Sequence, residues 1–262
     1  MTTYERRQSL LDTLRQQPGL RVPELAQAIG VSEGTIRNDL NALEEEGRLT
    51  RVHGGAVLNA QDQFQNNSFV RRYKQNVSAK LVISREAALL VQDGDSIFLD
   101  ASSTDYYLAR ELAKRKELRV VTNGFEVARE LAENPSNNVI LIGGVVNNHS
   151  SSVTGLLSER IIEEMSIGKT FLSCSGFSME RGMTEVHLAE AQIKRKVIES
   201  SQQLYALVVS SKFGKEDLTS FANPKKITRL FTDDEISSHW IEQLREEGIE
   251  LSICKETVAL AT

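Results

Sequence analysis

A chain of 262 residues exceeds the roughly 100–150 typical of one domain, so two modules of unequal size are expected. A hydrophobic share of 40% and a charged share of 26% allow a packed core and exclude wholesale disorder, and no apolar run reaches the roughly 20 residues that a membrane span needs. The 31 basic and 36 acidic residues leave a net charge of −5, which taken alone argues against a chain coated in nucleic-acid-binding charge. The start, MTTYERRQSL, has no apolar core for a signal peptide, so a cytoplasmic location is expected. Cys174 and Cys254 have no second Cys or His at metal spacing and are expected to be buried apolar fillers. Neither a metal nor a cofactor is expected.

The first predicted helix carries Leu10, Leu11 and Leu14 and stops before Pro18-Gly19. The second opens with Pro23 at its first position, carries Leu25, Ala28 and Ile29, and ends at Gly30. Ser32 then serves as N-cap for a third helix with Ile36, Leu40 and Leu43 at helical spacing. Helix, short Gly turn and helix form the helix-turn-helix order. With Ile36, Leu40 and Leu43 inward, Thr35, Asn38 and Asn41 fall outward and Arg37 lies on a flank, which suits reading base edges. Residues 47–57 predict two short strands around a Gly-Gly turn, a wing placing Arg48, Arg51 and His53 beside phosphates.

The charge is uneven along the chain. Residues 1–60 hold seven Arg against eight acids, yet Glu44, Glu45 and Glu46 cluster at the end of the third helix, and residues 47–61 carry two Arg and no acid. Residues 61–75 are net +2 and residues 76–262 net −6, so the acidity belongs to the larger module.

The stretch VPELAQAIGVSEGTIRNDLNALEEEGRLTRVHGGAV resembles the winged helix-turn-helix of the deoxyribose-operon repressor (DeoR) family, in which TIRxDLxxLExxG runs into RxHGGA. The resemblance implies a sequence-specific bacterial transcription factor bound to double-stranded operator DNA. The expected DNA-binding set is Arg21, Ser32, Thr35, Arg37, Asn38, Arg48, Arg51 and His53. Asn38 stands where the family often has Arg, which removes one cation from the reading helix.

Residues 1–58 are thus expected to form a winged helix-turn-helix domain and the polar residues 59–75 a linker, followed by an effector-sensing α/β domain over 76–262. Beyond the linker, apolar runs alternate with helical stretches, the pattern of a mostly parallel sheet with crossover helices. Strands are predicted at 97–100, 118–122, 139–142, 170–174, 204–209, 227–232 and 249–254. Helices are predicted around 78–91, 104–115, 125–133, 156–165, 187–201 and 235–247.

Ligands of open α/β sheets bind outside the carboxyl ends of the strands. The predicted ends here carry Ala101-Ser102-Ser103-Thr104-Asp105, Asn123-Gly124, Gly143-Gly144, Ser175-Gly176 and Ser210-Ser211-Lys212. Small and hydroxylic residues at five ends suit an anionic, polyhydroxylated ligand, with Ser102 to Thr104 holding a phosphate at a helix start. Lys212 is a movable point charge beside a Ser pair, whereas Glu190 and Lys194 read as an i,i+4 surface ion pair. DGDSIFLDASST, VVTNG, VILIGG, EAQIKRKVI and SSKFG resemble the same family's sensor domain, which is similar in fold to ribose-5-phosphate isomerase and the coenzyme A transferases. That resemblance implies a phosphorylated sugar or related metabolite as effector. It places Asp100, Ser102, Ser103, Thr104, Asn123, Gly143, Gly144 and Lys212 in the pocket.

Two departures bear on chemistry. Ser102 and the following Tyr106-Tyr107 would narrow the pocket or offer a stacking surface. Gly168 and Ser175 stand where the family commonly has acids and the isomerase has carboxylates, so a general base is lacking. The leading expectation is a repressor of a carbohydrate-utilisation operon, released by its effector and acting as a homo-oligomer, a dimer or tetramer, on paired half-sites. The alternative is a sugar-phosphate isomerase-like enzyme with a regulatory amino-terminal domain, for which only Asp100, Asp105 and Glu185 offer a carboxylate. Activator and repressor are not separable at this stage.

Overall fold

A computed structural model of the chain describes residues 3–59 and 69–256, with the side chains of residues 4, 5, 15 and 70 left aside. It divides into two compact units, residues 1–67 and 68–262. The expected linker falls largely on residues 60–68, outside the described residues, while its end, Phe69–Lys74, is helical.

In the first unit, α1 (Thr3–Gln16), α2 (Val22–Ile29) and α3 (Glu33–Glu45) precede a hairpin of β1 (Leu49–Val52) and β2 (Gly55–Leu58). The start of α2 is fixed by Glu24, whose carboxylate accepts the Arg21 N–H at 2.7 Å. Pro23 is its second residue, one later than expected, because Val22 is already helical. Ser32 caps α3, its hydroxyl accepting the Thr35 N–H at 3.2 Å. Leu10, Leu11, Leu14, Leu25, Ile36, Leu40 and Leu43 meet Leu49, Ala56 and Leu58 in one core. Ala28 is exposed rather than inward, and Val22 and Ala26 are buried instead.

The hairpin turns at His53-Gly54, and Gly55 is already in β2, paired with Val52, so the turn lies one residue before the expected Gly-Gly pair. A Cβ on Gly55 would lie 2.7 Å from the Leu20 carbonyl oxygen. Only glycine lets the hairpin lie on the entry to α2, where the Val22 N–H reaches the Gly54 carbonyl at 2.9 Å.

The second unit opens with α4 (Phe69–Lys74) and α5 (Val77–Ala88). Then come β3 (Ser96–Leu99), α6 (Ser103–Leu112), β4 (Arg119–Thr122), α7 (Phe125–Ala132), β5 (Asn138–Leu141), β6 (Val145–Asn147), β7 (Ser152–Thr154) and α8 (Leu156–Glu163). The remainder is β8 (Ile167–Leu172), β9 (Gly176–Ser178), β10 (Gly182–Glu185), α9 (Leu188–Glu199), β11 (Ser201–Leu207), β12 (Thr219–Ala222), β13 (Arg229–Asp233), α10 (Ser238–Glu246) and β14 (Leu251–Cys254).

Seven strands form a parallel sheet in the order β14-β13-β11-β8-β3-β4-β5. Alternation along β3 sends Ile97 and Leu99 to one face and Phe98 to the other. Ile97 and Leu99 pack with Ile83, Leu108, Leu112 and Val127 from α5, α6 and α7; Phe98 packs with Ala191, Val197 and Leu244 from α9 and α10. All seven predicted strands and six predicted helices are present, with no end shifted by more than three residues. The antiparallel pieces β6–β7 and β9–β10–β12 were not foreseen, because three- or four-residue strands rich in Gly, Ser and Thr show no usable period.

The strand order carries the functional consequence. From β3 the chain winds outward through β4 and β5, then returns to place β8 on the opposite side of β3. The winding therefore reverses between β3 and β8, which is where the ligand crevice of an open α/β sheet is expected, outside the carboxyl ends of those strands.

Candidate functional site

On the first unit, α3 presents Arg37, Asn38 and Asn41 to solvent, with Thr35 half-buried. Arg37 pairs with Glu33 at 2.7 Å across one turn. Arg21 and His53 are exposed, His53 at the hairpin tip, and Arg48 is half-buried. The Ser32 hydroxyl is engaged by its cap and by Thr35 Oγ1 at 2.9 Å. Arg51 is half-buried and braced, donating through Nη1 to Asn41 Oδ1 and through Nε to the Gly55 carbonyl at 3.3 Å. The hairpin is thereby tied to the exposed face of α3, and the Arg51 N–H donates to Glu44 Oε1 at 2.7 Å. Sequence reasoning missed Asp39, buried beside Leu40 and held by Arg6 at 2.5 Å and Arg7 at 3.3 Å. The available signal was an acid on the inward face of α3, which demands a cation.

In the second unit the crevice between β3 and β8 is organised around Lys194 of α9, which lies 3.1 Å from Asp100 and 2.7 Å from Glu185. Glu190 and Lys194 are both buried and do not form the expected surface pair. Glu190 instead accepts from Ser150 at 2.9 Å, from Ser152 and from Asn123 Nδ2 at 3.3 Å. Each side chain is taken by partners from other elements, Glu190 by Ser150, Ser152 and Asn123 and Lys194 by Asp100 and Glu185.

Burial by itself would raise Asp100, but the Lys194 charge and hydrogen bonds from Asp105 and Ser102 hold it below the usual carboxylate range. Glu185 is likewise lowered, burial being outweighed by Lys194 and by hydrogen bonds including that from Ser175 Oγ at 2.7 Å. Burial opposes the Lys194 ammonium, yet Glu185 and Asp100 raise it well above its ordinary value. Asp105 goes the other way, raised well above the ordinary carboxylate value by burial and then by the Asp100 charge.

The expected effector residues fall into two groups. Asp100, Ser102, Ser103, Thr104, Asn123 and Lys212 come together. The Asp100 carboxylate accepts the Ser102 N–H at 2.6 Å, Ser102 caps α6 through Asp105, and Asn123 Oδ1 accepts the Ala101 N–H at 3.0 Å. Thr104 Oγ1 is 3.5 Å from Ser173 Oγ, which accepts from Lys212 Nζ at 2.9 Å. Gly143 and Gly144 have other contacts. The Gly143 carbonyl accepts from Ser158, and a Cβ on Gly144, at φ 156°, would stand 2.4 Å from the Thr154 carbonyl oxygen. Gly144 is thus required by the close approach of β7.

Tyr106 and Tyr107 neither line nor narrow the crevice. They pack on Phe69 and Tyr73 of α4, Tyr107 stacking on Tyr73 at 5.1 Å. Their hydroxyls are engaged as well, Tyr106 donating to Glu130 Oε2 at 3.1 Å and Tyr107 to the Tyr73 carbonyl at 3.2 Å. Cys174 and Cys254 are buried, and burial pushes the Cys174 thiol up to about 11. A cavity of about 360 Å³ lined by residues including Asn76, Ser78, Ser210, Ser211 and Asp233 adjoins Lys212 in sequence without including any expected effector residue. Among the described residues, no helix is long and apolar enough to cross a membrane.

A winged helix-turn-helix joined to a parallel α/β unit with a polar crevice at its reversal point is the build of a ligand-responsive DNA-binding protein. The family described as "DeoR-like helix-turn-helix domain" matches residues 6–62, and that described as "DeoR C terminal sensor domain" matches residues 75–234. The HTH-type transcriptional regulator GolR of Listeria innocua serovar 6a is 38% identical over 256 residues, 97% of this chain and 100% of that protein. The lactose phosphotransferase system repressor of Streptococcus mutans serotype c is 34% identical over 235 residues, 89% of this chain and 93% of that one. Among solved structures, a ribose 5-phosphate isomerase of Methanocaldococcus jannaschii covers 51% of this chain and 53% of its own at 18% identity and a TM-score of 0.38, too loose to carry an argument. The chain belongs to the DeoR family of DNA-binding transcriptional regulators.

Proposed function

We propose that this regulator represses a carbohydrate-utilisation operon and leaves its operator when a sugar phosphate or related metabolite occupies the crevice between β3 and β8. The observation that carries the reading is the meeting of the first turn of α6 with Lys212 at that crevice. The repressor names of relatives such as the S. mutans protein support the polarity and the carbohydrate context. Arg37, Asn38 and Thr35 read bases, while Arg21, Arg48, Arg51 and His53 meet phosphates; Ser32 acts by holding the start of α3. The protein works in the cytoplasm as a homo-oligomer, at least a dimer, on paired half-sites. By linkage, operator and effector weaken each other by the same factor.

An isomerase role lacks support, because Asp100 and Glu185 are both paired with Lys194 and no carboxylate is left as an evident base among the candidates the sequence offered except Asp105, which is fully buried. A gel shift with the operon's own upstream region tests the proposal. A saturable, salt-sensitive shift at submicromolar protein, reversed by one member of a sugar-phosphate panel, is expected. No such shift would sink the repressor reading. Joint replacement of Ser103 and Lys212 by Ala should abolish release while sparing operator binding, and surviving release would place the effector elsewhere.

A further inference from the structure

The exposed apolar side chains of this chain are not scattered. Of the fourteen large ones among the described residues, seven lie between residues 140 and 161 of the sensor. The barest are Val145 on β6, at 68%, and Leu156 and Leu157 at the start of α8, at 64% and 65%. Ile140 and Leu141 on β5 and Ile161 on α8 extend the same region.

The three elements are joined into one face. The Gly143 carbonyl, just beyond β5, accepts from Ser158 of α8 at 2.7 Å, and a Cβ on Gly155, immediately before Leu156, would stand 3.4 Å from Val145 Cγ2. β5 is the last strand of the parallel sheet, so its outer side has no strand partner among the described residues. It carries neither a charge nor a Pro to discourage pairing. The face is also held firmly from behind. β7, paired with β6, gives its Val153 N–H to the Asn123 carbonyl at 2.8 Å, and Ser152 donates to the buried Glu190 carboxylate.

Area and charge say what covers such a face. A monomer rarely leaves bare an apolar patch larger than roughly 300–600 Å², and a standard interface takes about 800 Å² from each partner. Seven large side chains, each more than a third exposed, reach that class once the polar residues around them are added. The helix that supplies Leu156 and Leu157 bears Glu159 and Arg160 and is followed by Glu164, and among the described residues none of the three stands in an ion pair. A rim holding both signs suits its own copy turned through a two-fold axis, with the cation of one copy facing an acid of the other, whereas a rim of one sign would repel it. A strand edge is likewise its own complement, since a two-fold sets its N–H groups against the carbonyls of an antiparallel mate.

We propose that the face formed by the start of α8, β6 and the outer edge of β5 is where a second copy of this chain docks about a two-fold axis. The inference rests on the paired half-site reading above, which calls for two reading units and leaves open the surface that joins them.

Sedimentation equilibrium of the full chain tests this. The wild type should be dimeric or larger at micromolar concentration. Leu157→Glu and Val145→Glu, both at exposed positions, should each raise the dissociation constant about thirtyfold or more while leaving the circular dichroism spectrum unchanged. Leu89→Glu, at a side chain 70% exposed just beyond α5, should leave association as it was. Should Val145→Glu fail to fold, Leu157→Glu decides alone. A monomeric wild type, which would assign the face to some other partner, association that survives both substitutions, or an equal loss in the Leu89 control would overturn the proposal. Association that survives leaves the half-site reading standing with its interface elsewhere, and a failed gel shift with an intact dimer removes the operator reading without touching this surface.

Discussion

The two units use polar residues in opposite ways. In the DNA-reading unit Arg21, Arg37, Asn38 and His53 project into solvent above a core made of Leu and Ile. In the sensor Asp100, Asn123, Glu190 and Lys194 are all less than a tenth exposed and satisfy one another. A surface that receives a double helix needs only outward display, because the partner supplies the desolvation. A crevice that must single out a small anion has to keep water away, so its charges first neutralise each other and only a remainder is left for the ligand.

Removing a buried charge should therefore be severe in the sensor, while removing an exposed one from the reader should be mild. Lys194→Ala leaves Asp100 and Glu185 buried without their cation and should cost about 3–5 kcal/mol in urea unfolding of the larger unit. A loss no larger than that of a surface substitution would break the contrast. In the reader, Arg51→Ala should weaken operator binding almost uniformly across sequences and reduce the salt slope by about 1. Arg37→Ala should weaken operator binding in a sequence-dependent way and leave stability within about 0.5 kcal/mol, checked by thermal unfolding.

Asp105 gives a pH test confined to the sensor. Its folded pKa is raised above the unfolded value of about 4 by burial and by Asp100, so the folded state binds the proton more tightly. The stability this contributes is complete below the unfolded pKa and is lost as pH rises through the folded one. Asp105→Asn should flatten that decline, and an unchanged stability profile would show that Asp105 does not carry the proton. The smallest effect is expected for Tyr107→Phe, which removes one hydrogen bond to α4 and should cost about 0.5–1.5 kcal/mol while speeding exchange at Tyr73.

Periodicity made the fold legible because its elements repeat. Ile36, Leu40 and Leu43 mark the inner face of α3, and the continuous apolar run in IFLD marks a strand buried on both faces. Local chemistry located Ser32 as the cap of α3 and a helix start at Ser102 to Thr104. The partners across the crevice were not legible. Glu190 and Lys194 are four residues apart, and local spacing suggested a pair, yet one reaches the β6–β7 loop and the other reaches β3 and β10. Lys80 is buried on α5 and donates to the Arg72 and Gln75 carbonyls, and nothing nearby in sequence marks it for either partner.

The sequence by itself determined the order of elements, the inward faces, the caps and the family pattern in TIRNDL and RVHGGA, since each depends on residues within a few turns of one another. The tertiary structure decided which charges neutralise which, because Asp100, Glu185 and Lys194 meet only when β3, β10 and α9 converge at the reversal of the sheet. Electrostatic pairing depends on distances in space and on the exclusion of water, and both are set by strand order rather than by spacing along the chain.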